Sequence, residues 1–363
     1  MNNRKTLIHI LSANRWGGVE RYALDICRHF VGQGWRVAVV TRDAKAVDAL
    51  FEKEGVELLH APFASLLDFA SIRCLAKAIR QSEQDSVIIH AHGFRNAFTA
   101  LVARKLARRK DVRIVATRHK VKRGIDSALF RRIYRNLDAI ICVSRLAADR
   151  FLSTWHDRPL PFPKERLHVL HNSLNLDIKA PVERVKGPVT AMFHGPLVAG
   201  KGLETLIDVM SMLKNERMRL RIVGSGTPDY VDRLRRRAIA RGVMDKIDWY
   251  KHSEMPLSLM KEVDFGVLPS LAEEAFGLSN IEYMACGRPQ VCSSNGAQPE
   301  YMTDGREGFL IPPGNTTMIA EAMRKLATDP ELRARMGERA FNTFTENLSW
   351  PHFISALTRL YGC

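Results

Sequence analysis

Two glutamates separated by seven residues, Glu274 and Glu282, form the segment with the most chemical promise in this chain. The segment Glu274-Ala-Phe-Gly-Leu-Ser-Asn-Ile-Glu282 follows an apolar run ending at Leu268 and a Pro269-Ser270 turn. The first carboxylate is therefore expected in a loop, and the second about one turn into the next helix. There its two oxygens can accept a pair of vicinal hydroxyls. The amides of Gly277 and Leu278 would open that helix and favour an anion such as a diphosphate, because helix N-termini leave N–H groups unpaired. Spacing alone favours a solvated loop glutamate and an ordinary helix glutamate; the residues before and after the segment shift that balance. A glycine pair, Gly17-Gly18, sits between the first apolar run and a helical pattern. Its amides can approach a phosphate without interference from a Cβ. His92 ends a run read as a parallel strand, which is where ligands gather in open α/β sheets. His90 is expected on the opposite face by strand alternation. Arg118 and His119 end the next strand, beside a basic region. A zinc site of His90, His92 and His119 lacks a supporting cysteine or carboxylate, so no metal is expected.

These residues need strands to carry them. Runs of strand character are Leu7–Leu11, Arg36–Thr41, Val56–His60, Ser86–His90, Val112–Thr117 and Ala139–Ser144, with helical patterns near 19–32, 68–81, 95–108 and 125–136. Apolar strands alternating with amphipathic helices imply a parallel sheet covered on both faces. After Leu167–Leu170 and His171-Asn172-Ser173, the prolines and glycine of 180–188 mark a linker. The rhythm then restarts: strand Val189–His194, helix Leu203–Leu213, strand Leu220–Val223, helix Arg233–Arg241, strand Val263–Leu268, and helix Leu278–Cys286 closed by Gly287 and Pro289. The expected domains are 1–180 and 181–349, with a last helix near 350–363 returning to the first. Two doubly wound domains make a cleft between them the default binding site.

A length of 363 residues suits two domains. With 46% hydrophobic and 26% charged residues the chain is neither disordered nor fibrous. No apolar run approaches the ~18 residues of a membrane span. The run after Arg4 and Lys5 is broken by His9, so no secretory signal is expected and the reading is cytoplasmic. The six cysteines are scattered without a CxxC pair, which fits reduced, mostly buried thiols. The net charge of +16 lies almost wholly in residues 1–180, with 32 basic against 17 acidic side chains. Residues 101–150 alone hold 15 basic and 4 acidic ones. An anionic partner for the first half follows, and charge does not choose among nucleic acid, anionic lipid and phosphorylated glycan. The Arg104–Arg135 segment, interleaved with Leu106, Ile114, Val121, Phe130 and Ile133, fits a solvated basic face or a surface that docks on anionic lipid.

The ordered motifs resemble family 4 glycosyltransferases of the GT-B fold. Pro269-Ser270, Glu274-x-Phe276-Gly277 and Glu282-x-Met284-Ala285-x-Gly287-x-Pro289 carry the likeness. It continues in Gly200-Lys201-Gly202, Val223-Gly224-Ser225-Gly226 and Gly308 through Asn315. In the first half Gly17-Gly18-Val19-Glu20, Ile89-His90-Ala91-His92, Thr117-Arg118-His119 and His171-Asn172 match in order, so nearly the whole chain is covered. The resemblance implies two Rossmann-like domains facing across a cleft. It also implies a retaining transferase that uses a UDP- or GDP-linked sugar and no metal. Glu274, with the backbone of Phe276, Gly277 and Leu278, would hold donor-sugar hydroxyls, and Glu282 the ribose. Lys201 would neutralise the departing diphosphate; Gly17, Gly18 and Gly224 complete the donor side. His92 is the expected first-domain residue at the reacting centre, with Arg118 and His119 as further acceptor-side candidates. The expected acceptor is a hydroxyl of a glycan or lipid-linked molecule, in cell-envelope polysaccharide or lipopolysaccharide synthesis on the inner membrane face.

Two positions depart from the family pattern. Pro196 stands where an arginine is usual, with Arg15, Arg21 and Arg118 as replacements. Lys251 stands where a glycine is usual, near the expected base site. Competing readings are a GT-B epimerase or phosphorylase, and a catalytically weak basic binding protein. For the latter no nucleic-acid module is recognisable, and no nucleic acid is expected.

Overall fold

The computed structural model describes residues 5–12, 16–82, 86–176, 178–182, 187–251 and 256–362. The chain divides into two compact units, residues 1–172 with 351–363, and residues 173–350. The boundary falls at 172/173, before the proline- and glycine-bearing stretch in which the linker was expected.

In the first unit, strands β1 (Lys5–Ile10), β2 (Arg36–Thr41), β3 (Glu57–His60), β4 (Ser86–Ala91), β5 (Arg113–Arg118), β6 (Ala139–Cys142) and β7 (Leu167–Val169) form one sheet. Their order is β3-β2-β1-β4-β5-β6-β7, every pair parallel. The central strands are buried along nearly their whole length. That is why they read as continuous apolar runs rather than alternating ones. Helix Trp350–Tyr361 lies on this unit: Phe353 meets Tyr22 at 5.5 Å between ring centroids, and Arg113 Nε donates to the Leu360 carbonyl at 2.9 Å.

In the second unit, β8 (Val189–His194), β9 (Met218–Val223), β10 (Ile247–Tyr250), β11 (Phe265–Leu268), β12 (Gln290–Ser293) and β13 (Gly308–Ile311) form a parallel sheet of order β10-β9-β8-β11-β12-β13. Helix Leu278–Ala285 crosses it at close range because residue 266 is glycine. A Cβ there would sit 2.6 Å from the Tyr283 ring, and the buried Tyr283 hydroxyl donates to the Met192 carbonyl at 2.8 Å. The helix ends in a Schellman turn: Gly287 has φ +66°, Arg288 N–H bonds Tyr283 O and Gly287 N–H bonds Met284 O.

Strands β10, β12 and β13 have four residues each, and helices Lys45–Glu52, Arg145–Leu152, Thr316–Thr328 and Pro330–Thr343 also escaped the sequence reading. Strands of four residues carry too few positions to display a period, and β10 and β13, partly exposed, lack the continuous apolar run that marked β6 and β11. The helix expected at Arg233–Arg241 starts earlier, at Pro228, since proline at a first helical position costs no hydrogen bond. Among the described residues, Cys27, Cys142, Cys286 and Cys292 are buried free thiols and Cys74 is half-buried; burial pushes the Cys142 and Cys292 thiols up to about 12. No helix of the described residues is long and apolar enough to cross a membrane.

Candidate functional site

Each sheet reverses its strand order at one place, between β1 and β4 in the first unit and between β8 and β11 in the second. Loops leaving such neighbouring strands diverge to opposite faces and open a crevice at the strand C-termini. The candidate residues collect at both places.

In the second unit the loop after β8 makes one 3-10 turn, Ala199–Lys201, before Gly202. Gly202 has φ +70°, and a Cβ there would lie 2.0 Å from the Pro269 carbonyl oxygen. Only glycine lets the loops after β8 and β11 touch. The contact is sealed by Leu271 N–H and Ala272 N–H donating to Gly200 O at 2.9 and 3.0 Å. It carries Lys201 to Glu274: the ammonium donates to Glu274 Oε1, which also accepts from Ser270 Oγ at 2.6 Å. The main chain of Glu274 is fixed in turn, its carbonyl accepting from Ala297 N–H at 3.0 Å. Gly296 is required beside it, since a Cβ there would approach Glu274 O within 2.8 Å.

Beyond Glu274, Phe276 is buried and its carbonyl accepts from the Tyr301 hydroxyl at 2.6 Å. Gly277 turns left-handed at φ +89°, so helix Leu278–Ala285 begins beside Glu274 with its first amides at this loop cluster. Glu282, one turn along, is buried and lies 3.3 Å from His194 Nδ1 at the end of β8. Ser279 Oγ donates to the His194 carbonyl at 2.9 Å and ties the helix to that strand. Gly224, after β9, could not be alanine without a Cβ 1.9 Å from the Gly195 carbonyl oxygen. Pro196, exposed in the loop after β8, supplies no cation to this cluster.

In the first unit the wall is made of imidazoles. His92 Nε2 lies 2.8 Å from His9 Nδ1, and His92 Nδ1 lies 3.0 Å from His119 Nε2. Burial lowers all three rings, His9 and His119 to about 3, so each is neutral near pH 7. His92, Thr117, Arg118 and His119 line a cavity of about 360 Å³ with Glu20 and Lys122. His90 stacks on His92 at 4.6 Å between ring centroids, against the expectation that it faces the other way. A period of two puts residues 90 and 92 on one side of the strand, so the expectation misapplied the alternation. His90 bonds Tyr361 OH at 2.7 Å and Thr117 Oγ1 at 2.6 Å. The nitrogens of His9, His90 and His92 lie close enough together to share a cation. However, both nitrogens of His90 and of His92 are already engaged.

Gly17 caps helix Gly18–Gly32, and the Gly17 and Glu20 amides bond the buried Glu20 carboxylate, whose acidity burial weakens. The anion held at this helix start is the protein's own. Arg118 turns back onto its loop, donating to the carbonyls of Lys122 and, at 3.1 Å, Arg123, with its guanidinium over Phe151 at 4.9 Å. Arg21 is paired with the buried Asp25 at 3.1 Å, and Arg15 lies outside the described residues. His9 was missed as a site residue. Its signal was a single histidine inside an otherwise apolar strand, noticed only as an interruption.

Residues 16–178 match the family model described as Glycosyltransferase Family 4, and residues 176–343 match Glycosyl transferases group 1. The O-antigen chain mannosyltransferase C of Escherichia coli is 28% identical over 324 residues, 86% of this chain and 82% of that protein. A glycosyltransferase from Rickettsia africae superposes with a TM-score of 0.83 at 19% identity, covering 99% of this chain and 98% of its own. The Anabaena protein HepE, in complex with UDP and glucose, superposes with a TM-score of 0.80 at 20% identity, covering 98% and 99%. The fold shared with these structures is GT-B.

Proposed function

This chain belongs to the group 1 and family 4 glycosyltransferases, and from that premise we propose that it moves a sugar from a nucleotide diphosphate to an acceptor hydroxyl with retention at the anomeric carbon. The observation that carries the reading is the Lys201–Glu274–Ser270 cluster beside the first amides of helix Leu278–Ala285. When a donor enters, the Lys201 ammonium and the helix N-terminus stabilise the charge that builds on the leaving diphosphate. Glu274 then exchanges its partners for donor-sugar hydroxyls. Glu282, released from His194, takes the ribose. The acceptor oxygen forms its bond to C1 as the C1–O bond to phosphate breaks, on the same face, and the leaving phosphate oxygen takes the acceptor proton. Catalysis is then mostly positioning and charge stabilisation, without a covalent sugar–enzyme intermediate or a metal. UDP in the Anabaena neighbour makes UDP-sugars the first donors to try, with GDP-sugars next because of the mannosyltransferase relative.

The acceptor we assign is a lipid-linked glycan of the cell envelope, reached from the cytoplasmic face of the membrane. Between helices Phe94–Leu106 and Ala128–Arg135 runs a groove lined by Phe98, Leu101, Val102 and Leu129 together with Lys105, Lys110 and Arg132. Much of the surrounding charge is neutralised locally, Arg109 by Asp111 at 2.6 Å and Arg131 by Asp126. Lys105, Lys110 and Arg132 have no ion pair among the described residues, and Leu106 is exposed. A groove lined by apolar and cationic side chains together suits anionic lipid. Binding to vesicles containing phosphatidylglycerol should fall steeply with salt; binding unaffected by salt or by removing the anionic lipid would remove this assignment.

The transferase reading is tested by thermal shift with UDP- and GDP-sugars, followed by NMR of the product made with the stabilising donor. Ligands that bind only the folded state raise its melting point. Retained configuration at C1 supports the proposal and inversion overturns it. Epimerised sugar without an acceptor, or sugar phosphate formed from inorganic phosphate, would establish the epimerase or phosphorylase alternative.

A further inference from the structure

The three bonded histidines of the first unit form a row with two unlike ends. His9, on β1, is wholly buried, and its Nε2 has no partner among the described residues. His92 spends both ring nitrogens inside the row, on His9 Nδ1 at 2.8 Å and on His119 Nε2 at 3.0 Å. His119 lines the cavity, and its Nδ1 has no protein partner among the described residues. The planes stay close to parallel along the row, 15° between His9 and His92 and 23° between His92 and His119. Tyr22 closes the side of the row, its ring edge-on to His92 at 5.7 Å and to His119 at 5.1 Å.

Neutral rings each carry one N–H and one lone pair, so a bonded row of them must run head to tail. Only two orders exist. If all three protons sit on Nε2, the row starts at His119 and ends by pointing the His9 N–H into the core, where nothing accepts it. If all three sit on Nδ1, His9 donates to His92, His92 donates to His119, and the last N–H emerges at the cavity. The buried end then holds only an unused lone pair. Buried N–H groups without acceptors are rarer in folded proteins than under-used acceptors, because losing the water bond of a donor is not recovered. His90 is not part of this competition, since Thr117 and Tyr361 take its two nitrogens.

We propose that His9 and His92 are positioning residues that hold His119 in the Nδ1–H form, making it a fixed, uncharged donor to a sugar hydroxyl oxygen bound in the cavity. This extends the transferase reading, since it presumes that the cavity receives a reacting sugar. The row gives a pocket-edge histidine one defined tautomer and one ring orientation, which a histidine facing solvent on both sides would lack. A neutral donor also orients an oxygen without adding a second cation to a surface already rich in Arg and Lys.

The direct test is the long-range proton–nitrogen NMR spectrum of the full-length protein with labelled histidine, assigned by single His→Gln variants. Protons on Nδ1 of His9, His92 and His119 support the proposal. A proton on Nε2 of His92 or His119, or two protons on any ring of the row, overturns it. Turnover provides the second arm. His9→Asp, whose carboxylate can only accept where the imidazole Nδ1 donates, should reverse the row, turn His119 to the Nε2–H form and lower kcat on the order of 10-fold with little change in donor KM. His9→Asn, whose amide N–H falls where the imidazole Nδ1 sits, should restore both the tautomer and most of the rate. An equal loss in both variants, with His119 still Nδ1–H, would overturn the role assigned to His9. The wild-type spectrum needs neither variant to fold nor any substrate. Failure of the transferase reading would show separately, as an ordered row in a protein that turns over no sugar nucleotide.

Discussion

At the switch point of the first sheet three histidines are bonded to one another as neutral rings, whereas at that of the second Lys201 is paired with Glu274 and Glu282 lies beside His194. The two arrangements are prepared for different events. On the proposed reading a departing diphosphate needs a cation already in place, and the Glu274 carboxylate keeps Lys201 and its loop ordered until a donor arrives. Where a sugar hydroxyl has only to be oriented, an uncharged donor suffices, and burial keeps the imidazoles uncharged. The same topology thus supplies an ion pair at one switch point and a row of uncharged imidazoles at the other, and the difference resides in which residues lie at the ends of β1, β4, β5, β8 and β11.

The most severe way to break this comparison is to remove the ions. Lys201→Ala should lower kcat/KM by about 10²–10³-fold without unfolding the protein, as loss of a main charge-stabilising group does. Glu274→Ala should be comparably damaging. A Lys201 variant with near-normal rates would show that the leaving group departs elsewhere. Next in size is an effect on stability. Gly224→Ala forces a Cβ to within 1.9 Å of a backbone oxygen, whereas Gly17→Ala meets only the tip of the Glu20 side chain at 3.2 Å. Denaturant unfolding should show a loss of about 1–3 kcal/mol for the former and under about 0.5 kcal/mol for the latter. Equal losses would mean that the loops of the second unit are not locked as described.

A milder change is expected for Glu282→Ala. It should raise the donor KM on the order of 10-fold and leave kcat largely intact, because the ribose contact proposed for it would be the same in ground and transition states. The smallest and most diagnostic effect concerns acid. The unfolded chain takes up protons on its histidines below about 6.5, while His9 and His119 in the folded state resist them down to about 3. The unfolded state therefore binds more protons throughout that window, and stability must fall as pH drops from about 6.5 toward 3. His9→Phe should flatten that slope in a melting-temperature series. An unchanged slope would place the acid sensitivity outside the imidazole row.

Legibility differed between the two sites for a physical reason. The second unit's site is nearly contiguous: Pro269 through Glu282 passes from strand end to loop to helix, so turn chemistry and the helix start fixed the neighbourhood of both glutamates. The first unit's site is assembled from residues 9, 92 and 119, which share no local pattern. His92 and His119 stood out as strand-terminal polar residues, but His9 lay within an apolar run. His90 was assigned to the wrong face although its spacing from His92 places both on one side. Likewise Arg118 looked like a free cation at a strand end until its loop folded back to supply carbonyls.

The order of apolar runs, helical stretches, glycines and prolines by itself determined two parallel-sheet units and most strand positions, because burial on both faces leaves a composition that needs no partner to be read. Gly277 likewise announced a helix start. What only the tertiary structure decided was pairing. Lys201 reaches Glu274 because Gly202 lets one loop lie on another, and three histidines from three strands become one row because β1, β4 and β5 are neighbours in the sheet though distant in the chain. Short-range sequence encodes conformation, and contacts between strands far apart along the chain appear only once the sheet has its order.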